Sequence, residues 1–247
     1  MLDASIGMST KWAARYPRIA DALAQTSAVV ALLRENEGAE LEIRLGVWKA
    51  DTFKFVPGVS RSQIERIIDM MQESHYVTSD HDWVEEQDFF FLVDDVQHRT
   101  RVQYDSTTMQ ITPTTIQKKN LATHTFVVTD RNLPIGIDMR VSLKSEETVE
   151  HLMPCVQTTL VRIKQRRRFI TLDRKWAFDF SMSWSGTTKT KAELEQSSRD
   201  PVFEIECELL DAPATLASKD DARIAASLLL KACDLLPSDT CCLRLVE

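Results

Sequence analysis

Two stretches of the chain alternate strictly between charged and apolar residues. One is Glu40-Leu41-Glu42-Ile43-Arg44, and the other is Phe203-Glu204-Ile205-Glu206-Cys207-Glu208-Leu209. A period of two is the signature of a β-strand, with charged side chains on one face and apolar ones on the other. In both stretches the charged face is nearly all carboxylate. Such a face repels itself unless a cation sits on it. Two of these strands side by side offer hard oxygen ligands with no His or Cys among them, the ligand set of Mg²⁺ or Mn²⁺.

Other segments repeat the segregation with different charges. The strand expected over 137–145 puts Asp138, Arg140, Ser142 and Lys144 on one face and Met139, Val141 and Leu143 on the other. The strand at 161–170 aligns Arg162, Lys164, Arg166 and Arg168, and the one at 175–184 aligns Asp179, Ser181 and Ser183. The segment 98–105 aligns Arg99, Arg101 and Gln103. Further strands are expected at 75–84, 88–95, 115–119, 124–129 and 202–210. Helices are expected at 18–36, from a capping box at Ser62 and Glu65 onward, and from Asp220 to Leu236. Residues 186–201 read as a polar loop. Five strands with one polar face, and three helices with apolar stripes, fit one architecture. It is mainly β with flanking helices: a closed antiparallel eight-stranded β-barrel, apolar outside under the helices and a charged, hydrated tunnel inside. The expected organisation is an N-terminal segment and packing helix over 1–38, then the barrel with its flanking helices over 39–247.

Composition removes several function classes. A net charge of −7 argues against binding along a nucleic-acid backbone. No apolar run reaches the roughly 20 residues of a membrane span, so no membrane association is expected. The first ten residues lack the basic start and apolar stretch of a signal peptide, and no secretion is expected. Five cysteines without C-x-x-C spacing fit reduced thiols in a nuclear or cytoplasmic protein. With 6 glycines and neither phosphate-binding glycine motif, phosphates would have to be held by side chains. Arg101, Lys164 and Arg166 supply cations for a highly charged anion such as a triphosphate. The five scattered histidines read as structural, Cys207 as a packing residue, Glu85 and Glu86 as a solvated strand end, and Trp12 to Pro17 as a helix preamble.

The set of motifs resembles the fungal and protozoan type of metal-dependent RNA 5′-triphosphatase of mRNA capping, within the triphosphate tunnel metalloenzymes. The resemblance runs from about Glu40 to Leu210 in strand order. It rests on the two terminal glutamate motifs, the Arg101 strand, Lys118 in Gln-Lys-Lys-Asn, the strand from Asp138 to Glu146, Lys164-x-Arg166, and Trp176-x-x-Asp179-x-Ser181. It implies that Glu40, Glu42 and Glu208 bind the metal, Mg²⁺ or Mn²⁺, with Glu204 and Glu206 supporting it. It implies that Arg101, Lys164 and Arg166 grip the γ-phosphate and that Glu146 positions or deprotonates the attacking water. Lys118, Arg140, Lys144, Arg168, Asp179 and Ser181 complete the implied substrate site. One departure is Ala177, where the family often has an arginine; Arg168 or Arg174 would have to compensate.

The implied activity removes the γ-phosphate from 5′-triphosphate RNA, the first step of capping, with nucleoside triphosphates as further substrates and an mRNA guanylyltransferase as a partner. Two alternatives remain: a tripolyphosphatase or thiamine-triphosphatase type of tunnel enzyme, and a non-catalytic module that binds polyphosphate or RNA ends.

Overall fold

The computed structural model describes residues 19–79, 82–105, 110–128, 137–149, 157–236 and 243–246. The Trp12–Pro17 segment, His81, His151, Cys155, Cys241 and Cys242 lie outside the described residues. Eight strands close a barrel. They are β1 (Ala39–Lys49), β4 (Val84–Val93), β5 (Val96–Asp105), β6 (Gln110–Val128), β7 (Asp138–Thr148), β8 (Thr158–Thr171), β9 (Trp176–Gly186) and β10 (Val202–Leu209). Around the barrel the order is β1, β7, β6, β5, β4, β8, β9, β10 and back to β1, every pairing antiparallel. Three short strands extend its walls: β2 (Lys54–Pro57) beside β1, β3 (Val77–Ser79) beside β8, and β11 (Leu243–Val246) beside β6.

The core lies outside the barrel. Leu41, Ile43 and Leu45 of β1, Met139, Val141 and Leu143 of β7, and Ile205, Cys207 and Leu209 of β10 all face outward and are buried. They are covered by helices α1 (Ile19–Glu35) and α5 (Asp221–Asp234), which add Val30, Leu33, Ile224, Leu228 and Ala232 to the same cluster. Each such aliphatic side chain contributes about 1.5–3 kcal/mol on burial. A one-residue slip of register would turn this face into the tunnel, so apolar packing fixes where the charges point. Cys207 packs here as expected, and burial pushes its thiol up to about 12.

The structure corrects several expectations. Residues 186–201 hold a helix, α3 (Lys189–Ser198), capped by Thr188, whose hydroxyl accepts from the Lys191 amide at 3.3 Å. It buries only Ala192, against Val161 and Ile163, so it shows no apolar stripe. The capping box of α2 (Arg61–Glu73) is formed by Ser60 and Gln63, not Ser62 and Glu65: Gln63 Oε1 accepts from the Ser60 amide at 2.7 Å. The strands expected at 115–119 and 124–129 are one strand, β6, with a register shift between Asn120 and Ala122. A short helix, α4 (Ala212–Ser218), precedes α5 and was not anticipated. Among the described residues no helix is long and apolar enough to cross a membrane.

Candidate active site

Alternation carries the second residue of each pair inward. Among the described residues, fourteen charged side chains line a central cavity of about 250 Å³, eight basic and six acidic. The excess of cations in a chain of net charge −7 marks the cavity as a site for an anion. Glu40, Glu42, Glu206, Glu208, Arg101, Lys118, Glu146, Lys164, Arg166, Arg168 and Asp179, all expected in the site, line it. Glu204, Arg140, Lys144 and Ser181 face inward on the same strands but are not among the lining residues.

The acidic wall is β1 against β10. Glu42 stands directly opposite Glu208, and Arg44 opposite Glu206. Arg44 joins the two strands, with Nε 3.0 Å from Glu42 and Nη2 3.0 Å from Glu206. Lys144 pairs with Glu42, and Lys118 pairs with Glu146 and, at 2.9 Å, with Glu40. Protein cations thus supply part of the compensation that the carboxylate face requires. Burial, the largest influence, would raise Glu42 and Glu206, but the cations together outweigh it and hold both below the usual carboxylate range: Arg44 with Lys144 at Glu42, and Arg44 with Lys164 and Lys144 at Glu206. The compensation is incomplete at the neighbouring pair. Burial raises Glu40 despite Lys118, and burial with Glu40, Asp179 and Glu206 nearby raises Glu208 to about 7 despite Arg168. A wall on which two carboxyls hold protons more readily than free ones has unfilled demand for positive charge. All its donors are oxygens on two adjacent strands, and this chemistry fits a hard divalent ion. Among the described residues no three donors are already drawn together around one point.

The opposite wall is β4, β5 and β8. Here Glu86 and Asp88, each 0% exposed, fix the arginines. Asp88 accepts from Arg101 Nε at 2.8 Å and from Arg162 Nη2 at 2.7 Å. Glu86 pairs with Arg166 at 2.6 Å and Arg101 at 3.2 Å. Burial alone would raise Asp88; Arg101, Arg162 and Arg99 outweigh it and hold its carboxyl well below the usual range. Along β8, three of four inward cations are therefore held: Arg162 by Asp88, Arg166 by Glu86, and Arg168 by Asp179 (2.7 Å) and Glu208 (2.9 Å). Lys164 is the exception. It is 4% exposed, lines the cavity and has no ion pair among the described residues. Burial lowers its pKa, and the Glu206 carboxylate, its strongest electrostatic partner, offsets that only in part while Arg162 and Arg101 add to it.

Ala177 stands directly opposite Glu208, and Arg168 reaches both Glu208 and Asp179 from the next strand. Of the two arginines named for compensation, Arg168 is the one that reaches Glu208, while Arg174 sits in the β8–β9 turn at positive φ. Glu86 corrects the expectation of a solvated strand end: Glu85 is exposed, but Glu86 faces inward. Sequence reasoning also gave no role to Asp88, Arg44, Arg99 or Arg162. Asp138 serves the backbone, accepting from the amides of Trp48 (2.6 Å) and Val128 (3.0 Å). His98 is structural, bonded to the Val96 carbonyl at 3.0 Å and stacked on Phe91.

A closed eight-stranded barrel with carboxylates on one inner wall and cations on the other is the triphosphate tunnel fold. The comparisons with solved structures agree. The S. pombe Pct1 RNA triphosphatase superposes with a TM-score of 0.64 over 94% of this chain and 97% of that one, at 16% identity. The Mimivirus capping enzyme triphosphatase gives a TM-score of 0.53 over 86% of this chain and 98% of that one, at 11% identity. No protein-family model and no curated protein matches the chain. The resemblance first drawn from motifs is thus matched by the whole fold.

Proposed function

We propose that this chain is a metal-dependent polynucleotide 5′-triphosphatase, which hydrolyses the β–γ bond of triphosphate-ended RNA to a diphosphate end and phosphate. The observation that carries the reading is Lys164, a buried ammonium with no close ion pair among the described residues, in a cavity whose other cations on the same strand are already held by carboxylates. Such a group is built to receive an anion. The γ-phosphate would take Lys164 as its main counter-charge. Arg101 and Arg166, fixed on one side by Glu86 and Asp88, present their remaining N–H donors to its oxygens. Glu146 would orient the attacking water, and Lys118 and Arg99 at its carboxylate keep it placed. A Mg²⁺ or Mn²⁺ ion held by Glu40, Glu42, Glu206 and Glu208 would neutralise phosphate charge. Catalysis is then positioning and electrostatics, as in phosphoryl transfer generally. Nucleoside triphosphates would be alternative substrates.

A second reading has one observation behind it. Among the described residues every side chain lining the cavity is charged, so this lining reads phosphate and no base, as a tripolyphosphatase would. Phosphate release from γ-labelled triphosphate RNA and from tripolyphosphate, with Mg²⁺, Mn²⁺ or chelator, separates the two. The RNA reading expects metal-dependent release from RNA that Glu42→Ala abolishes. Release from tripolyphosphate alone moves the chain to the second reading, and ligand binding without release under any metal leaves a binding module. A place in capping is supported by the neighbours, and a nuclear location beside a guanylyltransferase is the setting proposed for it. One is solved in complex with the Spt5 CTD, and another is the triphosphatase domain of a trifunctional mRNA capping enzyme.

A further inference from the structure

The two mouths of the tunnel differ. The strands alternate in direction, so β1 and β4 both end at the mouth that carries the β4–β5 turn. At this mouth two inward-facing aromatic rings each carry a guanidinium. Arg162 lies 5.2 Å from the centre of the Phe90 ring, and Arg140 lies 4.8 Å from that of Phe55. At the other mouth the Arg167–Phe169 pair sits with Phe169 in the outer core, not in the tunnel.

The two inward pairs are not equivalent. Arg162 is committed to Asp88 at 2.7 Å. Arg140 has no ion pair among the described residues, and its buried Nε has no hydrogen-bond partner. Arg140 also stands directly opposite Arg44 in register, a like charge that an incoming anion would relieve. Phe55 is held at this place by a glycine: a Cβ on Gly46 would lie 2.6 Å from the Phe55 ring and would run into the Val56 carbonyl oxygen. Half-buried Trp48 is directly opposite Phe55 on β1 and widens the apolar surface.

We infer that Phe55 and Arg140 form the subsite for the first nucleotide of a single-stranded polynucleotide, and that the 5′ end enters the tunnel through the β4–β5 mouth. An unpaired guanidinium takes the phosphate that follows the reacting ones, and the aromatic surface takes the first base. This pairing is how proteins hold single strands without reading sequence. The inference rests on the proposed triphosphatase reading and adds to it the polarity of the substrate and a reason for RNA over bare polyphosphate.

The test uses the full chain, with Phe55→Leu, Phe55→Trp and Arg140→Gln beside wild type, each checked for an unchanged melting transition. Two quantities are measured: the ratio of kcat/KM on 5′-triphosphate pentanucleotide RNA to kcat/KM on tripolyphosphate, and the equilibrium Kd for the same RNA against tripolyphosphate competition. The inference expects Phe55→Leu to lower the kinetic ratio by about tenfold, the loss of one base–aromatic stack, and Phe55→Trp to restore it. Arg140→Gln should weaken RNA binding with a smaller effect on tripolyphosphate. Equal losses on both ligands, or no loss on RNA, overturn it. If wild type hydrolyses nothing, the hydrolase reading fails, and the Kd ratio alone decides whether this mouth holds RNA. If Phe55→Leu does not fold, the Phe55→Trp and Arg140→Gln ratios decide.

Discussion

The two inner walls of the barrel handle buried charge in opposite ways. On the β4–β5–β8 wall, two fully buried carboxylates hold three arginines in fixed positions. On the β1–β10 wall, carboxylates outnumber their partners, and Glu40 and Glu208 hold protons more readily than free carboxyls do. Apart from Lys164, the cations of the first wall are paired without ligand; the second wall is short of positive charge. A single ion pair therefore means different things in the two places. Beside Asp88 it holds the carboxylate ionised, and beside Glu208 it leaves the carboxyl still raised.

The largest test of this contrast breaks the finished wall. Asp88→Asn should cost about 3–5 kcal/mol of stability, because it leaves buried arginines without their counter-ion. Denaturant unfolding at several pH values checks it. Asp88 titrates below its ordinary range in the folded chain, so its stabilisation is fully present above the unfolded carboxyl pKa of about 3.9 and fades as pH falls towards the folded value. The gap between wild type and Asp88→Asn should be widest near neutral pH and narrow below about pH 4; a constant gap would contradict the ion-pair account.

Next in size is Lys164→Ala. It removes no structural ion pair, so stability should hold or rise while kcat/KM for triphosphate falls about 10²- to 10³-fold, the scale of losing one pre-placed electrostatic donor. A matching loss of stability would make Lys164 structural instead. The unfinished wall is sharpened by adding the ion proposed for it: Mg²⁺ at about 100 times its Kd should stabilise wild type by about 2.7 kcal/mol. Glu208→Gln should remove most of that gain, as thermal melts with and without chelator would show. The smallest effect is outside the tunnel. Arg61 pairs with Asp200 at 2.6 Å, both exposed, and Arg61→Ala should change stability by less than about 1 kcal/mol.

The parts of the site that were legible in sequence are those where charge and apolar residues alternate cleanly. Glu40 and Glu42, Glu204 to Glu208, and Lys164 with Arg166 each sit in such a pattern, and the outer core completes the alternation. Glu86 and Asp88 escaped because Val84-Glu85-Glu86-Gln87-Asp88 is polar on both faces, and the following run of three phenylalanines is apolar on both. Only closure of the barrel decides which of those faces is buried. Arg44 was visible but given no role, since its value comes from Glu206, more than 160 residues later in the chain. The α3 helix was illegible because a single alanine anchors it. The break read between 119 and 124 was a local shift of register in one strand, which keeps apolar positions on the outside past Asn120.

The seam where β1 meets β10 joins the first barrel strand to the last. During synthesis, Glu42 is made early and waits for Glu208, and every other strand of the barrel must exist before the two can meet. Contacts between such distant positions close late, after nearer pairings have lowered the entropic cost of the loop between them. A chain that stops short of β10 would have its cations in place and its carboxylate wall half built. Assembly of this centre is therefore a readout of a chain made at least through β10.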